Sequence, residues 1–176
     1  QTAKIANIFK EWGIQPGDRI AGYLPNFPQT IIAMLAATSL GAIWSSCSPD
    51  FGTQGVIDRF SQITPKVLLI ADGYFYGGKT FVYLDRLPSI LSHIPSLEKV
   101  IIIPYISTPE AIKAHDIDSP FDLWDDLLTD SKASTLDFVP LPFAHPLVIL
   151  FSSGTTGTPK CIVHSAGGTL LQHLKE

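Results

Sequence analysis

The sequence has no Lys/Arg cluster anywhere, and only 16% of its 176 residues are charged. With a net charge of −4 and a pI near 5.7, it lacks the basic patch that a nucleic-acid partner needs. Charge is scarce but apolar side chains are not: at 45% hydrophobic residues the composition excludes a disordered tail and supports one ordinary core. Cysteine is scarce too. Cys47 and Cys161 are far apart and fit no metal or disulfide spacing, so two reduced thiols are expected. The five histidines, His93, His115, His145, His164 and His173, show no paired ligand spacing, and no zinc site is expected. The most apolar stretch, residues 31–44, is too short for a bilayer and is interrupted by Thr38, Ser39 and Gly41, so no membrane span is expected. No charged segment leads into an apolar core at the start, the mark of a secretory signal; the expected location is the cytosol. The absence of a Gly-x-Ser-x-Gly elbow weakens a serine-hydrolase reading. Asp125 and Asp126 are adjacent on a helical stretch and point to different faces, which makes them a poor catalytic pair.

What the chain does have is an alternation of strand-like and helix-like apolar blocks. Ile5, Ile8, Phe9 and Trp12 recur at helical spacing. Residues 19–24 read as a buried strand after a Gly17-Asp18 turn. Residues 28–40 read as a helix, with Ile31, Ile32, Leu35 and Leu40 near one face and Gly41 just past its C-terminus. Residues 42–44 form the next strand. Residues 53–63 follow as a helix with Val56, Ile57, Phe60 and Ile63 inward and Thr53 or Gly52 as N-cap. Val67-Leu68-Leu69-Ile70 is a continuous apolar run, as expected of a parallel strand covered on both faces. A weaker helix over 84–93 precedes a strand at 100–103. Residues 104–119 read as an irregular surface excursion, 121–128 as a short acidic helix, and 131–142 as loop. Strands at 147–151 and 161–163 and a helix from Ala166 close the pattern. Such alternation predicts an α/β fold: a layered, largely parallel sheet with helices on both faces. The chain opens without methionine inside a helical pattern and stops at Glu176 without a capping glycine or proline. A piece of a longer chain is therefore expected.

The stretch that carries chemistry is Phe151-Ser152-Ser153-Gly154-Thr155-Thr156-Gly157-Thr158-Pro159-Lys160. Glycines let a backbone approach an anion and turn its N–H groups toward it. The hydroxyls of Ser152, Ser153, Thr155 and Thr156 add donors, and Lys160 adds a compact positive charge. Pro159 stiffens the approach to that lysine. A Walker loop needs glycine before the lysine and Ser or Thr after it; here Pro159 precedes and Cys161 follows. The competing reading, a flexible Gly/Ser/Thr linker, fits poorly with apolar strands flush against both ends. His164 lies close enough for a polar contact near a ligand, although a structural histidine is the commoner outcome. Gly77-Gly78-Lys79, on residue type alone, reads as a surface turn with a solvated lysine.

The string resembles the phosphate loop of the adenylate-forming superfamily, which includes acyl-CoA synthetases, luciferases and peptide-synthetase adenylation domains. That loop reads aromatic, Ser/Thr, Ser-Gly-Thr/Ser-Thr-Gly, any residue, Pro-Lys, and this sequence matches each specified position. Cys161 departs from the glycine that most members carry. Further strings are similar to the acetoacetate-activating branch: Gln15-Pro16-Gly17-Asp18-Arg19, Pro25-Asn26, Gly41-Ala42-Ile43-Trp44-Ser45-Ser46, Ser48-Pro49-Asp50-Phe51-Gly52, Asp58-Arg59-Phe60-Ser61-Gln62, and the run from Pro159 to Thr169. Trp44 and Cys161 separate it from acetate-activating members.

The resemblance implies residues 1–176 to be a partial N-terminal adenylation domain, ending just after the phosphate loop. It implies ATP phosphate binding by Ser152, Ser153, Gly154, Thr155, Thr156, Gly157 and Lys160, with Mg²⁺. The implied reaction joins acetoacetate to coenzyme A through an acyl-adenylate, releasing AMP and pyrophosphate. In acetate-activating members a strand ending in Ala-Asp is followed by Gly-Gly-Arg, whose guanidinium contacts coenzyme A phosphates; Ala71-Asp72 and Gly77-Gly78-Lys79 match in position, which makes Lys79 a candidate contact. The superfamily's aromatic-x-x-Thr-Glu segment, ribose-binding aspartate, hinge and catalytic lysine have no counterpart here, so no catalytic residue is assigned. A ligase for acetate, propionate or butyrate, and a truncated non-catalytic product, stand as alternatives.

Overall fold

Among the described residues six short runs pair as parallel strands, and a seventh turns back at one edge. The computed structural model describes residues 1–117, 119–152 and 157–176. In chain order it contains α1 (Thr2–Glu11), β1 (Arg19–Tyr23), α2 (Pro28–Ser39), β2 (Ile43–Cys47), α3 (Thr53–Ile63), β3 (Val67–Ala71), β4 (Gly73–Tyr76) and β5 (Lys79–Val82). A 3₁₀ turn at Leu84–Arg86 leads into α4 (Leu87–His93), followed by β6 (Lys99–Ile103), α5 (Pro109–Lys113), β7 (Asp122–Leu123), α6 (Trp124–Asp130), β8 (Pro146–Ser152), β9 (Lys160–Ser165) and α7 (Ala166–Lys175). Seven strands form one sheet in the order β7-β6-β3-β1-β2-β8-β9. All neighbours are parallel except β8 and β9. The expected α/β architecture is present.

Side-chain alternation along the strands divides the core in two. Val67, Leu69, Ala71, Ile101 and Ile103 join one cluster with α1, α2 and Trp124. Leu68, Ile70, Val100 and Ile102 join the other with α3 and α4. Helix α2 departs from its expected face. Ala33, Ala36, Ala37 and Ser39 are its buried residues, with Leu40 just beyond, whereas Ile31 and Leu35 are each 47% exposed. Small side chains let α2 lie close to the sheet and α1; Ile31 and Leu35 are turned out, while Ile32 and Met34 are partly buried against the core. It ends as expected: Gly41, at φ +77°, donates to the Thr38 carbonyl and Ala42 to that of Ala37, both at 3.1 Å. That pair of bonds is a Schellman cap.

Three stretches are more regular than the sequence suggested. Residues 104–119 contain α5, begun by Thr108, whose hydroxyl accepts from the Ala111 N–H at 3.3 Å. The cap, Pro109 and Glu110 formed a legible helix start. The acidic helix begins later than expected, because Asp122–Leu123 first pairs with β6. Gly77 and Gly78, at φ +57° and +73°, form the tight turn of the β4–β5 hairpin, and both positions need left-handed backbone.

Candidate functional site

Parallel sheets bind ligands beyond the carboxyl ends of their strands, where successive connections leave to opposite faces. Here α2, following β1, packs on one face, whereas α3 and α4 pack on the other. A cleft of about 480 Å³ opens at that place, lined by Pro25, Asn26, Ser48, Pro49, Asp50, Tyr74, Phe75, Tyr76 and Tyr105. These residues follow β1, β2, β3 and β6, so four strand ends build it together.

Buried polar groups fix the walls. The rings of Tyr23 and Tyr83 stack at 4.6 Å between centroids. Both hydroxyls donate to the Pro49 carbonyl, and that of Tyr23 also donates to Phe51 at 2.5 Å. Burial is the main force raising both phenols above their ordinary range, which keeps them protonated and able to donate. Asp72, wholly buried, holds the opposite wall. Its Oδ1 accepts from the Tyr105 and Ile106 N–H groups at 2.7 and 3.0 Å, and its Oδ2 from Ser107 at 2.7 Å. The sequence offered Ala71-Asp72 only as a positional marker; this bracing role went unread. Tyr105 in turn meets Phe27 and Phe75 edge-on, at 5.3 and 5.6 Å. Lys79 stands opposite Tyr76 in the hairpin that forms one wall, with an exposed side chain.

The phosphate-loop string begins two strands along the same edge. β8 pairs with β2 at Trp44↔Val148 and Ser45↔Ile149, and the buried Ser45 hydroxyl donates to the Ile149 carbonyl at 2.8 Å. β9 returns antiparallel, with Phe151 opposite Cys161 and Ser152 opposite Lys160. Lys160 is thus the first residue of a strand longer than the expected 161–163. Ser152 and Lys160 are direct cross-strand neighbours at the mouth of the hairpin. Period-two alternation turns both away from the face carrying Phe151 and Cys161. Gly157 has φ +98°, a conformation that favours glycine. Ser153, Gly154, Thr155 and Thr156 lie outside the described residues. His164 is exposed on β9, on the same side as Lys160. β8 is covered less than its sequence suggested: Ile149 is buried but Leu150 is 48% exposed.

The remaining candidates serve structure. His145 Nε2 lies 2.8 Å from the Gly41 carbonyl, and Asp126 pairs with Lys113 at 2.9 Å. Cys47 is buried, and burial pushes its thiol up to about 12. Cys161 is exposed, and both cysteines are free. Among the described residues no group of three His, Cys, Asp or Glu side chains could hold a metal ion, and no helix is long and apolar enough to cross a membrane.

Comparison with known proteins bears on the family and the fold. A family model described as AMP-binding enzyme matches residues 1–175. Acetoacetyl-CoA synthetase from Macaca fascicularis is 51% identical over 179 residues, covering all of this chain and 26% of its own length. The acetoacetyl-coenzyme A synthetase of Rhizobium meliloti is 49% identical over 174 residues, with 99% and 26% covered. The solved structure of acetoacetyl-CoA synthetase from Streptomyces lividans superposes with a TM-score of 0.89 at 43% identity, over 99% of this chain and 26% of that one. The chain spans about a quarter of the length of the relatives it matches.

Proposed function

The chain belongs to the AMP-binding enzyme family, and from that premise we propose that it is the part of an acetoacetate–CoA ligase that grips the ATP polyphosphate. The observation that carries the proposal is the hairpin mouth. A Ser/Thr/Gly-rich string separates two paired strands in the sequence, with Ser152 and Lys160 opposite each other and turned to one side. In forming the adenylate, a carboxylate oxygen of acetoacetate attacks the α-phosphorus, and charge grows on the departing pyrophosphate. Catalysis then rests on positioning and on donors aimed at that charge. Ser152, Ser153, Gly154, Thr155, Thr156 and Gly157 supply hydroxyl and backbone donors to the β- and γ-phosphates, and Lys160 neutralises charge. Mg²⁺ enters with the nucleotide.

In the second half-reaction the thiol of coenzyme A displaces AMP. The aromatic cleft beside the β4–β5 hairpin offers stacking faces for the nucleotide end of coenzyme A, and Lys79 a cation for its phosphates. The exchange of arginine for lysine there keeps the charge but gives up bidentate geometry. Residues 1–176 are a partial N-terminal adenylation domain in this reading, working in the cytosol, where Cys47 and Cys161 stay reduced.

The test is pyrophosphate exchange by the full-length protein with acetoacetate and with acetate. Higher kcat/KM with acetoacetate is expected, and preference for acetate would sink the substrate assignment. Lys160→Ala removes a charge-assisted contact of about 1.5–3 kcal/mol, slowing exchange by about tenfold to a hundredfold without disturbing the fold. Wild-type exchange in that variant would remove the phosphate-loop assignment.

A further inference from the structure

Helix α3 touches both ends of the phosphate loop through residues that the chemistry above does not use. Arg59 and Gln62 are three residues apart and share one helical face. The Arg59 guanidinium carbon lies 3.9 Å from the Phe51 ring centroid and 5.9 Å from that of Phe151, the residue before Ser152. Arg59 Nη1 donates to the Gly55 carbonyl at 2.8 Å, so the guanidinium is held while its charge sits over the Phe51 ring and near that of Phe151. One turn further on, Gln62 reaches the other end of the loop. Its Nε2 donates to the Pro159 carbonyl at 3.0 Å and to Asp58 at 2.6 Å, and its Oε1 accepts from the Cys161 thiol at 3.6 Å.

These bonds land on the two residues that flank Lys160. Tying the Pro159 carbonyl and the Cys161 side chain to a helix orients the peptide units on both sides of the lysine. Phe151 and Cys161 are a cross-strand pair, so α3 grips the hairpin on one face. Ser152 and Lys160, one residue along each strand, face the other way. The hairpin is held from behind and presents its charge in front.

We propose that Gln62 is a positioning residue for adenylate formation: its amide, bonded to Pro159 and Cys161, sets the direction in which Lys160 meets the polyphosphate. The proposal rests on the phosphate-loop reading above. It predicts an effect confined to the half-reaction in which pyrophosphate leaves, because displacement of AMP by the thiol takes place after the polyphosphate has gone.

The experiment uses the full-length protein with Gln62→Met, which keeps length and helix propensity but removes every bond of the amide. A second variant, Gln62→Glu, keeps the acceptor for Cys161 and turns an oxygen against the Pro159 carbonyl. Gln62 is exposed, so both substitutions leave the core untouched. Single-turnover adenylate formation is measured with acetoacetate and MgATP, and the thiol step is started separately from the preformed adenylate. Both variants are expected to form adenylate about tenfold more slowly, with a raised KM for ATP, because small errors in the placement of a catalytic group are costly. The thiol step should stay within about twofold of wild type. Unchanged adenylate formation in both variants overturns the proposal, as does an equal loss in the two half-reactions, which would mark Gln62 as general support. Lys160→Ala is run beside them. If it too is silent, the phosphate-loop reading fails and the positioning role goes with it; if it is impaired while Gln62→Met is silent, the positioning role alone fails.

Discussion

Replacing Asp72 should loosen one wall of the aromatic cleft and leave the phosphate-loop hairpin alone. The carboxylate accepts three backbone N–H groups, from Tyr105, Ile106 and Ser107, at 2.7–3.0 Å. Bonds to a charged acceptor are worth about 1.5–3 kcal/mol each, but that sum overstates the loss. Asp72 is wholly buried, so the folded state already bears several kcal/mol, roughly, for desolvating its charge. The released N–H groups belong to a segment only partly buried, where water can replace the lost acceptor. The net cost of Asp72→Ala is then about 3 kcal/mol. Asp72→Asn keeps an oxygen for Tyr105 and Ile106 but sets an amide N–H against that of Ser107, for about 2 kcal/mol.

The segment should stay docked when the carboxylate is gone. A methyl on Gly73 would lie 2.2 Å from Ile106 Cδ1 and from the Phe81 carbonyl oxygen, which shows how closely Ile106 packs there. What is lost is the exact seat of Tyr105, and with it the edge contacts to Phe27 and Phe75. Denaturant midpoints measure the stability loss. In the full-length protein, KM for coenzyme A should rise severalfold while pyrophosphate exchange stays near wild type. An Asp72→Ala protein within about 0.5 kcal/mol of wild type would refute the bracing role. A stability loss with unchanged KM for coenzyme A would instead separate Tyr105 from the thiol substrate.

Gly22→Ala should cost about 1–3 kcal/mol by overpacking, since its methyl would stand 2.8 Å from Trp44 Cη2 and 2.9 Å from Cζ2. Denaturant titration should show much of this loss suppressed in a Trp44→Phe background, which removes both atoms; additive losses would contradict the contact. Native-state alkylation should modify the exposed Cys161 and spare the buried Cys47, as a mass-resolved peptide map would show. Burial pushes Cys47 from an ordinary value near 9 up to about 12, so its sign is fixed: below 9 both states keep the proton, and above 9 only the unfolded chain releases it. The stability advantage of wild type over Cys47→Ala should therefore shrink by about 1.4 kcal/mol between pH 8 and pH 10.

The strands of the main sheet other than β7 were legible because period and length decide them; β4 and β5 were read only as a turn, and β7 as part of a helix. Val67-Leu68-Leu69-Ile70 is apolar at every position, and only burial on both faces of a parallel sheet explains such a run. Helix faces were less legible. In α2 the larger residues Ile31 and Leu35 look like the core side, yet an alanine row packs inward, since the distance between helix and sheet fixes side-chain size there. At the site, the residues read from the string were those with chemistry of their own, such as Lys160. Asp72 and Gln62 act on backbone groups far away in sequence, and no spacing rule relates a residue to an N–H or a carbonyl on another element. The string 58–62 stood out only by resemblance, with nothing to indicate that its last residue reaches Pro159.

The attachment of β8 explains why such distant contacts matter. β1 pairs with β3 over four positions and with β2 over five, whereas β8 meets β2 at only two. One buried hydroxyl bond, from Ser45 to Ile149, strengthens that short seam. Beyond it β8 and β9 depend mainly on each other, and an antiparallel ribbon with few other contacts twists readily. A twist of that ribbon would turn Lys160 and Ser152 together, away from the common edge where β1, β2, β3 and β6 end at the aromatic cleft. The contacts from Arg59 and Gln62 oppose that twist at the end of the ribbon nearest the proposed phosphate site, where a small rotation moves the lysine most. The cleft and the hairpin are therefore placed by different means: strand pairing and buried acceptors fix the first, and a single helix face steadies the second.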